Sequence, residues 1–210
     1  MSFSDYEAFW TARYLDAGDD YLFGTAPNKF LAGQSEYFGA GVSVLSVADG
    51  EGRNSVWLAE QGCTVTATEI SSVALEKAAK LARGRHVAID FLQVDIFSWD
   101  WPAAAFDTVV GIFIQFAGPV ERLRQIAGMQ QAVKPGGVLL LQGYTPKQLE
   151  YKTGGPSAVE NLYTETLLRE LFADWEIVML HEHEETISEG TAHTGLSALI
   201  DLVARKPIGK

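Results

Sequence analysis

The residues best suited to chemistry in this chain are acids and glycines at the ends of apolar runs. In VLSVADGEGRNSVWLAEQG, residues 44–62, an apolar stretch runs into Asp49-Gly50-Glu51-Gly52 and straight on into a helix-period stretch. Glycines in such a turn let the backbone approach a ligand closely, although a tight turn needs glycine whether or not anything binds. Glu69 closes the next apolar run, where a carboxylate can accept hydrogen bonds from both hydroxyls of a ribose. Asp95, in FLQVDIFSW, closes the one after, placed to accept from an adenine amino group beside an apolar wall of Ile96 and Phe97. Each acid alone also reads as a surface or loop carboxylate. The glycine turn and an acid about twenty residues later serve different parts of one ligand, and together they predict an adenosine-binding unit.

Those residues need elements to hold them. After an aromatic N-terminal segment, short β-branched runs alternate with helix-period stretches, the pattern of βαβ units and a parallel sheet. Strands are predicted at Val42 to Val47, Thr64 to Glu69, Val87 to Val94, Thr108 to Phe113 and Val138 to Gly143. Helices are predicted at Arg53 to Gln61, Ser72 to Arg83, Val120 to Ala132 and Thr164 to Phe172. Ser71 or Ser72 can cap the second helix, and Pro135-Gly136-Gly137 is a turn signal between a helix and the next strand. Trp175 to Ile187 and Thr194 to Arg205 read as two strands joined by SEGTAH, a hairpin that puts an antiparallel strand at the end of the sheet. The run FDTVVGIFIQF, residues 106–116, is mostly core, and it delivers Phe113, Gln115 and Phe116 to the carboxyl edge, where open α/β sheets bind ligands.

Composition narrows the classes. A net charge of −11 over 210 residues repels phosphate backbones, and no basic patch offsets it. Lys77, Lys80, Arg83 and Arg85 are read as the solvated face of a helix and its exit. A single cysteine, Cys63, in CTVTATEI, excludes an intrachain disulfide and fits a reducing, cytoplasmic setting. The N-terminus lacks a basic region and a cleavage motif, and no apolar run approaches the roughly 18 residues of a membrane helix. Nucleic acid and membrane are therefore not expected as partners; no metal is expected, and the chain is expected to act as a monomer or homodimer.

VLSVADGEGRNSVWLAEQGCTVTATEIS, with Asp95 and the later VKPGGVLLLQGY, resembles the class I S-adenosylmethionine-dependent methyltransferases across nearly the whole chain. FWTARYLDAGDDYLFGTAPNKFLA and YKTGGPSAVENLYTETLLRELF are similar to the small-molecule branch related to tellurite-resistance and thiopurine methyltransferases. The resemblance implies an α/β, Rossmann-like three-layer sandwich whose seven-stranded sheet is mostly parallel, with the last strand antiparallel. It implies one domain, residues 1–210, with a helical and aromatic cap over residues 1–40 and the Rossmann-like core over residues 41–210.

By the same resemblance Glu69 holds the ribose and Asp95 the adenine, Gly50 and Gly52 lie under the methionine moiety, and Phe23, Gly24 and the Pro27-Asn28 turn close the pocket. The full cofactor set is Phe23, Gly24, Ala48, Asp49, Gly50, Gly52, Arg53, Glu69, Ile70, Asp95, Ile96 and Phe113. Ala48 stands where the family commonly has glycine, and Ser46 where a strand acid is frequent. A soft acceptor such as a thiolate or chalcogenide needs little base assistance. If a base is used, His193 and Gln115 are the catalytic candidates, with Glu185 and Glu189 near the same hairpin turn and Tyr144, Tyr151 and residues 152–156 shaping the acceptor side. Phe9, Trp10, Tyr14, Tyr21 and Phe23 are expected to form a lid. Gly50, Gly52 and Ser55 nearly complete the spacing of dinucleotide binders, so an NAD(P)-dependent oxidoreductase is the rival reading, and a protein that binds S-adenosylmethionine without catalysis is the third.

Overall fold

Alternation of buried β-branched residues with amphipathic stretches produces the predicted α/β order in a computed structural model that describes residues 3–190 and 193–209. The helices are α1 (Phe3–Asp16), α2 (Lys29–Gly33), α3 (Arg53–Glu60), α4 (Ser72–Gly84), α5 (Pro119–Ala132), α6 (Gln148–Tyr151) and α7 (Glu165–Leu171). The strands are β1 (Ser43–Ser46), β2 (Thr64–Glu69), β3 (Asp90–Gln93), β4 (Phe106–Ile112), β5 (Val133–Tyr144), β6 (Glu176–Glu189) and β7 (His193–Arg205). They form a seven-stranded sheet in the order β3-β2-β1-β4-β5-β7-β6. β2 pairs in parallel with β1 and β3, β4 in parallel with β5, and β7 runs antiparallel to β5, as expected of the C-terminal hairpin. Part of the predicted hairpin turn, Thr191 and Ala192, lies outside the described residues.

The chain divides into two compact units, residues 1–99 with 189–192, and residues 100–188 with 193–210. In the first, α3 and α4 pack on β1 and β2, whose Val44, Leu45, Val65 and Ala67 are buried. Ser71 caps α4 as predicted, its Oγ accepting from Ala74 N. In the second, the buried Leu139-Leu140-Leu141 run of β5 lies between β4 and β7, with α5 against β4 and β5.

Two details depart from the sequence reading. Pro135-Gly136-Gly137 does not precede the strand but lies inside β5. Phe106 pairs with Val133 and Thr108 with Val138, so residues 134–137 bulge out, with Gly136 at a φ of +78°. A Cβ on Gly137 would sit 2.6 Å from the Asp107 carbonyl oxygen, which is why the bulge needs glycine there. The third predicted strand is shorter than Val87 to Val94, because only Asp90–Gln93 finds a partner in β2.

Candidate active site

Three of the predicted acids and turns stand at the carboxyl ends of three adjacent parallel strands of the first unit. β1 ends at Ser46 and leads into Val47-Ala48-Asp49-Gly50-Glu51-Gly52. β2 ends at Glu69, and Asp95 follows β3 by two residues.

The turn is held from within. The Asp49 carboxylate accepts from Ser46 Oγ at 2.6 Å, from Ser55 N at 3.2 Å and from Ser55 Oγ, so it ties the end of β1 to the first turn of α3, where the helix dipole favours an anion. Burial raises its pKa while the two serines and Arg53 lower it. The serine at position 46 is therefore the donor that Asp49 needs. Ala48 adopts a φ of +50°, a left-handed conformation costing an L-residue about 1–2 kcal/mol. Ala48→Gly is expected to raise stability by about 1 kcal/mol, read as a rise in Tm of about 2–4 °C; an unchanged Tm would mean that the turn carries no strain there.

Glu69 is 4% exposed. Its Oε2 accepts from Gly50 N at 3.0 Å, and its Oε1 from Ile70 N at 2.9 Å and Ser71 N at 3.0 Å. A carboxylate offers about four lone-pair sites, so acceptor capacity remains for a further donor. Burial pushes its pKa up to about 7, against the three backbone N–H groups, which pull it down. Asp95 is half-buried and caps its own turn, accepting from Phe97 N at 3.0 Å and Ser98 Oγ at 3.1 Å, beside buried Ile96.

The aromatic residues of the N-terminal segment are unevenly buried. Tyr14 is buried, whereas Phe9 is 51% exposed. Trp10 stacks on Tyr14, Phe23 meets Tyr14 edge-on, and Tyr6 lies 5.6 Å from Phe97 between ring centres. A Cβ on Gly50 would lie 3.0 Å from Tyr14 Oη, and one on Gly52 2.8 Å from Ala78 Cβ. The first glycine thus admits a phenol and the second admits α4. Burial, then Glu69 and Glu51, hold the Tyr14 hydroxyl protonated far above its ordinary range.

Long-range pairs complete this unit, and the sequence reading missed them. Glu51, between the two glycines, is buried with Lys77 Nζ 2.5 Å from its Oε1, and the same ammonium donates to the Asp20 carbonyl at 2.6 Å. Lys77 is therefore not on a solvated face as expected, while Lys80 and Arg85 are. Arg53 Nη2 pairs with Glu189 Oε2 at 2.8 Å, both side chains 8% exposed, and Asn28 Nδ2 donates to Glu189 Oε1 at 3.0 Å. A Cβ on Gly190 would fall 2.3 Å from the Leu22 carbonyl oxygen, so only glycine lets the hairpin tip close against residues 22–24. An acid flanked by two glycines was the one sequence signal for Glu51; nothing local marked Lys77 as its counterpart or Glu189 as that of Arg53.

The remaining candidates belong to the second unit. Phe113, at a φ of +56° just past β4, stacks on Tyr144 at 4.7 Å, and His193, at the start of β7, meets Phe113 edge-on at 4.6 Å. Gln115 is buried and spends its amide on the backbone: Nε2 donates to the Tyr144 and Asn161 carbonyls and Oε1 accepts from Tyr144 N. It braces the exit of β5, leaving His193 as the titratable group of the two catalytic candidates.

Residues 44–137 match the methyltransferase domain family. The chain is thus similar, over a little under half of its length, to a methyltransferase domain. Its fold is shared with a protein solved in work on the conversion of a disulfide bond into a thioacetal group during echinomycin biosynthesis (TM-score 0.78, 18% identity, 97% of this chain and 94% of that one). It is shared with magnesium protoporphyrin IX methyltransferase from Synechocystis PCC 6803 with bound S-adenosylhomocysteine (0.70, 16%, 97% and 99%). A [4+2]-cyclase has the same fold (0.74, 19%, 100% and 98%). No curated protein matches. The likeness to a methyltransferase domain extends over residues 44–137, and the solved structures share the fold of the whole sheet.

Proposed function

We propose that this chain, taken as one methyltransferase domain, transfers the methyl group of S-adenosylmethionine to a small-molecule acceptor in the cytoplasm. The observation that carries the reading is Glu69: a buried carboxylate at the carboxyl end of β2, bonded to the glycine turn and keeping acceptor capacity. Glu69 would take the ribose hydroxyls, Asp95 with Ile96 the adenine, and the Ala48–Arg53 turn with Phe23, Gly24 and Ile70 the rest of the cofactor. When bound, that group would supply a methyl carbon on a sulfonium that an acceptor could attack in line, the S–CH3 bonding pair leaving with the thioether of S-adenosylhomocysteine. In the second unit Phe113, the buried Tyr144 and the buried His193 form an aromatic cluster that includes one imidazole. An apolar, aromatic setting of that kind suits a thiol or chalcogenide acceptor, with the His193 imidazole as the group that would hold its proton. The lone Cys63, buried and free, fits a reducing compartment, and among the described residues no helix is long and apolar enough to cross a membrane.

Calorimetric titration with S-adenosylhomocysteine and with NADPH tests the cofactor. Binding of the first and not the second is expected, and the reverse would move the chain to the oxidoreductases. Incubation with labelled S-adenosylmethionine and a panel of thiols, selenols and amines then tests transfer. Binding without any methylated product favours a role other than methyl transfer, either binding alone or a different reaction of the kind named for the [4+2]-cyclase that shares the fold.

A further inference from the structure

Burying a guanidinium is costly unless a carboxylate accompanies it. Arg122, in the first turn of α5, is 7% exposed, yet among the described residues no carboxylate ion-pairs with it. Its Nη1 donates to the Glu160 carbonyl at 2.6 Å, and its Nε has no partner among the described residues. The position adds to the cost, because the start of a helix carries partial positive charge of its own.

Two more buried polar atoms next to it in the fold lack partners. Gln125, one turn further along α5, donates through Nε2 to the Ile114 carbonyl at 3.2 Å, but its Oε1 accepts from nothing among the described residues. Tyr163, 1% exposed, has its N–H on the Tyr144 carbonyl, three residues beyond the Glu160 carbonyl that Arg122 holds, and its hydroxyl is likewise unpartnered. Gln115 and Tyr163 both crowd Gly143. The group therefore sits at the exits of β4 and β5 within the second unit. Water could satisfy a lone hydroxyl or amide oxygen, but it cannot neutralise a cation.

We propose that Arg122, with the Tyr163 hydroxyl, forms an anion subsite that takes a carboxylate of the acceptor. With Nη1 committed to Glu160, the Nε edge of the guanidinium is left to face the ligand, and that edge matches a planar carboxylate in two parallel hydrogen bonds. Tyr163 adds a third donor, since burial raises its pKa and keeps the phenol protonated. Calling the ligand the acceptor rests on the methyl-transfer reading; the subsite itself does not.

The test is thermal unfolding of the full chain in sodium acetate against sodium chloride at equal ionic strength. Acetate is expected to raise the Tm with the logarithm of its concentration above its dissociation constant, by about 3–6 °C at ten times that constant. Arg122→Met is expected to abolish the rise, and Tyr163→Phe to weaken the acetate dependence about tenfold or more. No acetate-specific rise in the wild type, or an equal rise in Arg122→Met, overturns the proposal. If Arg122→Met does not fold, an unchanged acetate response in Tyr163→Phe does the same. S-adenosylhomocysteine titration of the same samples separates the two readings, because its failure strikes the cofactor assignment and leaves the acetate result standing.

Discussion

Glu69→Gln is expected to weaken S-adenosylhomocysteine binding by about 10- to 100-fold, the worth of hydrogen bonds to a charged rather than a neutral acceptor, and to remove most of its pH dependence. Burial sets the Glu69 pKa at about 7 in the ligand-free protein, so the carboxyl takes up a proton well above its ordinary range. Ribose hydroxyls donate to the ionised form, and binding therefore pulls the pKa down and releases a proton near pH 7. In the wild type the affinity should be flat above about pH 8 and fall by up to about tenfold per pH unit below about 7. Stability runs the other way. A carboxyl whose pKa is raised on folding favours the folded state most below its unfolded value near 4.5, and that contribution is lost as pH rises through about 7. Calorimetry in buffers of different ionisation enthalpy reads the proton release directly. A pH-independent affinity in the wild type would show that Glu69 does not meet the ligand.

The second large effect is structural. Gly52→Ala is expected to destabilise the fold by about 2–5 kcal/mol. About 1–2 of this comes from an L-residue at the observed φ of +91°. About 1–3 more comes from a methyl group placed 2.8 Å from Ala78 Cβ and 2.9 Å from its Cα. Urea unfolding measures the loss. Since the second part belongs to Ala78, the cycle with Ala78→Gly should show a coupling of about 1–3 kcal/mol. Strict additivity would mean that α4 moves aside and that the glycine serves something other than helix packing.

How far the sequence could be read follows the range of the interaction concerned. Thr64–Glu69 was legible to the residue, because alternating burial and a closing acid are local signals, and the cap of α4 was legible as one of two serines, of which Ser71 takes the place. The bulge in β5 was half legible: Pro135-Gly136-Gly137 announces a chain reversal, but only pairing with Phe106 and Thr108 shows that it happens inside a strand. Gln115 had the right chemistry for a site, and its neighbours Tyr144 and Asn161 claimed it for the backbone. Lys77 has the same helical spacing as the solvated Lys80 beside it, and what distinguishes it is an acid 26 positions earlier in the chain, Glu51. Such partners cannot be inferred from periodicity, which describes faces of elements and not what covers them.

The contact of Glu189 with Asn28 spans 161 positions of sequence, and that distance has a temporal meaning. At about 5–20 residues per second of synthesis, the N-terminal segment waits on the order of 8–30 seconds for the hairpin tip that seals it. Through that interval Arg53 has no Glu189 to neutralise it and residues 22–24 lack the glycine that later presses on them. Residues 22–28 are thus made long before they are finished, and a nascent chain halted before residue 189 should leave them open to protease.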